Sequence, residues 1–248
     1  MTDPIPFRKP VGPRRGMVLA AGIGKRMRPV TATVPKPLIE IAGRPMIDRA
    51  LDRLARAGVE EVVVNVHYLA DLLETHVRKR KNPKITVSDE RGALLETGGG
   101  ITKALPLLGP DPFFVMNSDS FWIEGPRPNL DWLISGWDDS AMDALLMLAP
   151  TVASIGYTGP GDFLMDKEGR LTRRPERTIA PFVYSGAAIL SPRLFENAPE
   201  GAFSLNVLFD RAIASGRLFG VRMDGIWLHV GTPESIREAE LSVAESAA

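Results

Sequence analysis

The sequence predicts an α/β fold: a mixed, mostly parallel sheet with helices on both faces, in the Rossmann-like manner. Three observations predict it. From Gly16 onward, short apolar and β-branched runs alternate with stretches of helical periodicity. Helical stretches separate the early strands, as parallel crossovers require. Polar segments, the first of them glycine-bearing, follow two of those strands, where ligands of open α/β sheets collect.

Taken in order, residues 17–21 read as a buried strand running into a glycine-rich turn. Ile47, Ala50, Leu51, Leu54 and Ala57 recur at helical spacing after Pro45, and Gly58 supplies the stop. The β-branched run 62–66 is a strand, 69–81 returns to helical period, and 85–88 and 113–116 are further strands. The second half predicts strands over 144–148, 163–165 and 183–190, and helices over 205–215 and 233–243. No repeat, low-complexity block or linker divides the chain, so one domain is expected over 16–248, its second half completing the sheet and covering the pocket. Residues 1–15, with four prolines and no apolar run of signal length, predict a flexible tail.

Composition narrows the function. The 30 basic residues balance 30 acidic ones, so no global field calls for nucleic acid or a membrane surface, and anion affinity must be local. With no cysteine, disulfides and thiolate metal sites are excluded, which suits a reducing cytoplasm, the expected compartment. No stretch approaches the roughly 20 apolar residues of a membrane-spanning helix.

The most informative segment is Leu19-Ala20-Ala21-Gly22-Ile23-Gly24-Lys25-Arg26-Met27-Arg28-Pro29. A strand ends, two glycines free the backbone to turn, and cations follow. Backbone N–H groups in such a turn make an anion-binding nest, to which Lys25 and Arg26 add full charge. The segment is neither a Walker A loop nor Gly-x-Gly-x-x-Gly, since position 27 is methionine. On its own it also reads as a solvated loop. Pro35-Lys36-Pro37 then pins a lysine between two residues of fixed φ, a rigid platform for an ammonium against phosphate, or a stiff surface turn.

Together these motifs, with Gly43-Arg44-Pro45-Met46-Ile47, Leu95-Glu96-Thr97-Gly98-Gly99-Gly100, Asn117-Ser118-Asp119 and Val230-Gly231-Thr232-Pro233-Glu234, resemble the sugar-nucleotide pyrophosphorylase family over about residues 16–240. The resemblance implies a glycosyltransferase-A-like nucleotidyltransferase fold without an appended acetyltransferase solenoid. It implies an enzyme joining a nucleoside triphosphate to a sugar 1-phosphate with release of pyrophosphate, as a monomer or small homo-oligomer. The segments 95–100 and 161–163 resemble the subfamily that uridylylates N-acetylmuramate 1-phosphate in cell-wall recycling. A mannose-1-phosphate guanylyltransferase, a glucose-1-phosphate thymidylyl- or uridylyltransferase, and an inactive nucleotide- or sugar-sensing regulatory subunit are the alternatives.

The same resemblance implies roles. Lys25, Arg26, Lys36 and Asp119 are the expected catalytic set, and Asp119, at a strand's carboxyl end, is the expected magnesium ligand. Leu19, Ala20, Ala21, Gly22, Gly24, Gly92, Glu96, Thr97 and Gly98 are expected to hold the nucleotide, largely through main-chain groups that glycine lets approach closely. Asn117, Gly161, Asp162, Tyr184, Ser185 and Gly186 are expected around the sugar, and Arg173, Arg174 and Arg177 are candidates to meet its lactyl carboxylate. The departure is His229, where the family has an aspartate as second metal ligand. Imidazole is a poor magnesium ligand. His229 therefore binds phosphate, favours manganese as the cofactor, or marks lost activity; the intact phosphate apparatus favours the first two. His67 and His76 read as surface or packing residues.

Overall fold

The computed structural model describes residues 11–246. In chain order these form β1 (Arg15–Leu19), β2 (Glu40–Ile41), β3 (Arg44–Pro45), α1 (Met46–Ala57), β4 (Glu61–Val66), α2 (Ala70–Val77), β5 (Lys84–Asp89) and α3 (Glu96–Leu108). There follow β6 (Phe113–Asn117), β7 (Ser120–Glu124), α4 (Asn129–Gly136), β8 (Ala144–Pro150), β9 (Phe163–Met165), β10 (Leu171–Arg173) and β11 (Phe182–Leu190). The last elements are α5 (Asn206–Ala214), β12 (Leu218–Arg222), β13 (Gly225–His229) and α6 (Pro233–Ser246).

The sheet is mixed around a parallel centre. Its order is β10-β9-β11-β6-β1-β4-β5, with β8 between β11 and β12. Strands β6, β1, β4 and β5 are parallel, and β11 joins β6 antiparallel. Alternation along the central strands divides the core. Val18, Val62, Val64 and Met116 face α1, α2 and α4, while Met17, Val63 and Val115 face α3 and α5. On α1 the buried stripe Ile47, Ala50, Leu51, Leu54 follows the helical period, and each buried Ile or Leu contributes about 1.5–3 kcal/mol. Gly58 at φ 95 ends that helix in the left-handed conformation, as its sequence position predicts.

Several boundaries move for identifiable reasons. Strand β1 stops at Leu19 rather than residue 21, because the Ala20 N–H leaves the ladder for Asn65 Oδ1 at 2.7 Å. The helix expected over 69–81 is confined to α2, entered through Leu69 at φ 48. Of the expected tail, residues 1–10 lie outside the described residues. Arg14 and Arg15 are tied in: the Arg14 carbonyl accepts from Glu60 N–H at 2.8 Å, and Arg15 opens β1. Strands β7 and β13 form a separate antiparallel pair that the sequence reading missed, packed with α6 in a third core of Phe121, Leu228, Val230 and Ala239. Among the described residues, no helix is long and apolar enough to cross a membrane.

Candidate active site

The glycine-bearing turn after β1 and the polar segment Asn117-Ser118-Asp119 after β6 lie at the carboxyl ends of these adjacent parallel strands. Between them opens a cavity of about 380 Å³. Its wall includes Leu19, Ala20, Ala21, Gly22, Lys36, Glu96, Thr97, Asn117 and Asp119, all expected, together with Asn65, Leu94, Ser118 and Ser204, which were not.

Local packing explains how Lys36 is aimed. Pro35 and Pro37 are buried, and Lys36 opens a single 3₁₀ turn between them. Gly24 adopts φ 67 and lies so close that a Cβ would stand 3.2 Å from Lys36 Cβ, so the glycine turn and the lysine platform are pressed together. Thr31 locks the turn by donating its hydroxyl to the Gly24 carbonyl at 2.9 Å. The ammonium then reaches Asp119 Oδ2 at 3.0 Å, with the lysine side chain only 12% exposed.

Asp119 stands two residues past the end of β6. Ser118 holds that corner to β1, donating its hydroxyl to the Leu19 carbonyl at 2.7 Å. The Asp119 carbonyl accepts from Val230 N–H at 3.1 Å, and β13 pairs with β7 so that His229 faces Ser120. Residues 119 and 229 thus become neighbours. Burial alone would raise the Asp119 carboxyl, but Lys36, His229 and Arg26 together hold it below the usual carboxylate range. Burial pushes the His229 imidazole down, against the pull of Asp119 and with help from Lys36 and Arg26, so the ring is neutral at pH 7. Arg26 and Lys25 are exposed on the turn after Gly24.

A buried polar chain fixes the cavity floor. Asn65 accepts from Ala20 N–H and donates from Nδ2 to Glu90 Oε1 at 2.8 Å, and Glu90 Oε2 accepts from Leu95 N–H at 3.2 Å. The end of β1 and the start of α3 are therefore held at a set separation. The sequence signal for Asn65 was its place as the lone polar residue in the run 61–66 beyond Glu61.

Other expected residues have protein partners of their own. Gly98, expected to meet the nucleotide through its main chain, lies within α3, and the N–H groups of Gly98 and Gly99 both donate to the Phe203 carbonyl. The three glycines serve packing, since a Cβ at Gly98, Gly99 or Gly100 would overlap the Phe203 ring, the Gly201 carbonyl or Glu90. Gly92 and Gly98 are outside the cavity wall, whereas Glu96 lies on it in the left-handed conformation at φ 59. Ser185 is buried and spends its hydroxyl on the Met147 carbonyl at 2.9 Å. Asp162 accepts from Tyr184 N–H at 2.9 Å, and Gly161 is wedged against Ala180. Tyr184 packs edge-on against Phe209, and its buried hydroxyl meets no protein partner among the described residues. Gly186 at φ 88 does meet the site, lying so near Asn117 that a Cβ would be 2.9 Å from its side chain. Arg173 pairs with Asp210 at 2.6 Å, and Arg174 donates to the carbonyls of Gly161 and Thr178, so these two are occupied elsewhere. His67 and His76 hold the Glu90 carbonyl and Asp48, consistent with packing roles.

A lysine and a carboxylate in contact in the wall of a cavity at the ends of parallel strands suit an enzyme of phosphoryl-group transfer. Residues 15–246 match the nucleotidyl transferase family model, and the chain belongs to that family. It is 48% identical over 238 residues to the N-acetylmuramate alpha-1-phosphate uridylyltransferase of Caulobacter vibrioides, covering 94% of this chain and 98% of that protein. The Neisseria meningitidis protein of the same name is 33% identical, covering 91% and 96%. Among solved structures, HddC from Yersinia pseudotuberculosis complexed with GMP-PN superposes with a TM-score of 0.73 at 24% identity, covering 93% and 99%, a likeness of fold.

Proposed function

We propose that this nucleotidyltransferase transfers the uridylyl group of UTP to N-acetylmuramic acid 1-phosphate. An oxygen of the sugar phosphate attacks the α-phosphorus and a new P–O bond forms. The bond to the β-phosphate breaks, and pyrophosphate leaves with its electron pair. The nucleophile is already an anion, so no general base is required. What the protein must supply is alignment of two mutually repelling anions and neutralisation of the charge that develops. Lys36 does this from a fixed platform, with Arg26 and Lys25 on the adjoining turn. The observation that carries the substrate reading is 48% identity to an N-acetylmuramate 1-phosphate uridylyltransferase across nearly the full length of both chains.

The site also fits a divalent ion carried in on the triphosphate. Among the described residues no group of three His, Cys, Asp or Glu converges, so the protein alone offers no closed metal cage. Magnesium asks for less, one or two carboxylates with phosphates and water completing the shell. Asp119 would hold the ion, with the neutral His229 ring beside it, and the ion's contribution would be to neutralise phosphate charge. His229→Asp adds an oxygen ligand, so the expected result is retained turnover with the magnesium-to-manganese rate ratio raised at least about threefold. An unchanged ratio would place His229 outside the metal's reach.

The substrate reading is tested by a matrix of triphosphates against sugar 1-phosphates, followed by pyrophosphate release. UTP with N-acetylmuramic acid 1-phosphate is expected to give the highest kcat/KM. Its preference over N-acetylglucosamine 1-phosphate should be about tenfold to hundredfold, the worth of one charge-assisted hydrogen bond to the lactyl carboxylate. Faster turnover of GTP with mannose 1-phosphate would overturn the substrate and leave the reaction class standing.

A further inference from the structure

The segment after β8 returns alongside β13. Ile155 donates its N–H to the Trp227 carbonyl and accepts from His229 N–H, both at 2.9 Å. Gly156, at φ 72, then turns the chain directly over the His229 carbonyl, where a Cβ would overlap the oxygen. This places the next side chain, Tyr157, against two aromatic neighbours. Its ring centroid is 5.8 Å from Trp227 and 6.5 Å from His229, edge-on to the latter, while His229 itself stacks on Trp227 at 5.5 Å. On another side Gly231 leaves the imidazole its room, since a Cβ there would come within 2.7 Å of Nε2. The imidazole beside Asp119 thus has Trp227 along one face, the Tyr157 ring at its edge and Gly231 close to Nε2.

The other end of Tyr157 points to a different part of the site. Its hydroxyl accepts from Gly161 N–H at 3.0 Å. Gly161 is held at φ 81 against Ala180, and its carbonyl accepts from Arg174. Asp162, next in the chain, accepts from Tyr184 N–H where the register of β11 shifts. Within that irregular stretch, Gly186 presses on Asn117 in the cavity wall. One side chain therefore touches both the ring beside Asp119 and the loop that leads, through Asp162 and β11, to Asn117 in the cavity wall.

We propose that Tyr157 is a positioning residue that couples the two halves of the site: its ring sets the His229 imidazole, and its hydroxyl sets the Gly161 loop that shapes the sugar-phosphate side. This inference rests on the reading of the cavity as a site for a nucleoside triphosphate and a sugar 1-phosphate. The two functions separate chemically. Phenylalanine keeps the ring and removes only the hydroxyl, whereas alanine removes both.

The test combines kinetics with histidine ring NMR. The full chain is assayed with whichever sugar 1-phosphate the wild type uses best, so the choice of sugar does not enter the result. For Tyr157→Phe, the KM for the sugar 1-phosphate should rise at least about fivefold, with kcat and the KM for the triphosphate within about twofold. For Tyr157→Ala, kcat should fall a further tenfold or so. The chain holds 3 histidines, so the His229 ring signals are resolvable. They should stay in place in Tyr157→Phe and move in Tyr157→Ala as a ring current is lost. Where thermal melting shows the alanine variant unfolded, Tyr157→Leu, which fills the volume without a ring, takes its place. An unchanged sugar-phosphate KM in Tyr157→Phe, equal rises in both KM values, or His229 signals unmoved when the ring is removed would each overturn the coupling. Should the wild type turn over no sugar phosphate at all, the functional reading fails, and unmoved His229 signals would still defeat the positioning role independently.

Discussion

Asp119→Asn should lose at least about 100-fold in kcat, close to 2.7 kcal/mol of barrier, while keeping its fold. The substitution preserves the size and shape of the side chain and removes one charge. That charge has two uses in the geometry seen here. It pairs with Lys36 at 3.0 Å and keeps the ammonium on the cavity side of its platform. It is also the carboxylate that the cavity wall offers a cation just past the end of β6, Glu96 standing instead at the start of α3. Neither use supports the hydrophobic core, so far-UV circular dichroism should overlay that of the wild type, with the melting point lowered only by the loss of the Lys36 pair. Residual activity above about a tenth of the wild-type rate, a deficit below ~1.4 kcal/mol, would remove Asp119 from the reaction.

Lys36→Ala carries the second large effect, a loss of at least about 100-fold in kcat/KM. The flanking prolines fix the backbone, so no neighbouring cation can be brought into the vacated place by relaxation of the turn. Lys36→Arg should recover only part of the loss. A guanidinium is planar and wider than an ammonium, and Gly24 packs too closely on Lys36 Cβ to let the longer side chain withdraw. The comparison of the three proteins by pyrophosphate release at saturating triphosphate separates charge from shape. Full rescue by arginine would mean that charge alone is needed, and wild-type rates in the alanine variant would reduce the tripeptide to a structural turn.

What could be read from the sequence follows the physical range of the signals. The parallel centre announced itself through local patterns: the stripe Ile47, Ala50, Leu51, Leu54, the β-branched run of β4, and Gly58 as a left-handed stop. The catalytic candidates were legible because the motif around Gly22 to Arg26 and Pro35-Lys36-Pro37 is compact in sequence. The missed features depend on pairing between distant residues. Strands β7 and β13 are short and carry mixed polarity, and their register with one another sets His229 beside Asp119. Asn65 stood out only as a polar residue within an apolar run, and its value lies in a hydrogen bond to Glu90 across 25 positions. The packing role of the triple glycine was not legible because glycine admits two explanations, close ligand approach or close helix packing, and the neighbours Phe203 and Gly201 are distant in sequence.

The pairing of β7 with β13 has a consequence for how the protein becomes active as it is made. Gly225 lies opposite Glu124, so a hundred residues must be synthesised after β7 before its partner exists. The central parallel strands and helices α1 to α3 come from the first half of the chain and have their hydrophobic partners early. A nascent chain emerging from the ribosome would thus hold Lys36 and Asp119 in a largely assembled scaffold while residue 229 is still untranslated. Closing so distant a contact is slow relative to local structure formation. Competence for nucleotidyl transfer should be among the last properties acquired, arriving with the final strand rather than with the collapse of the core.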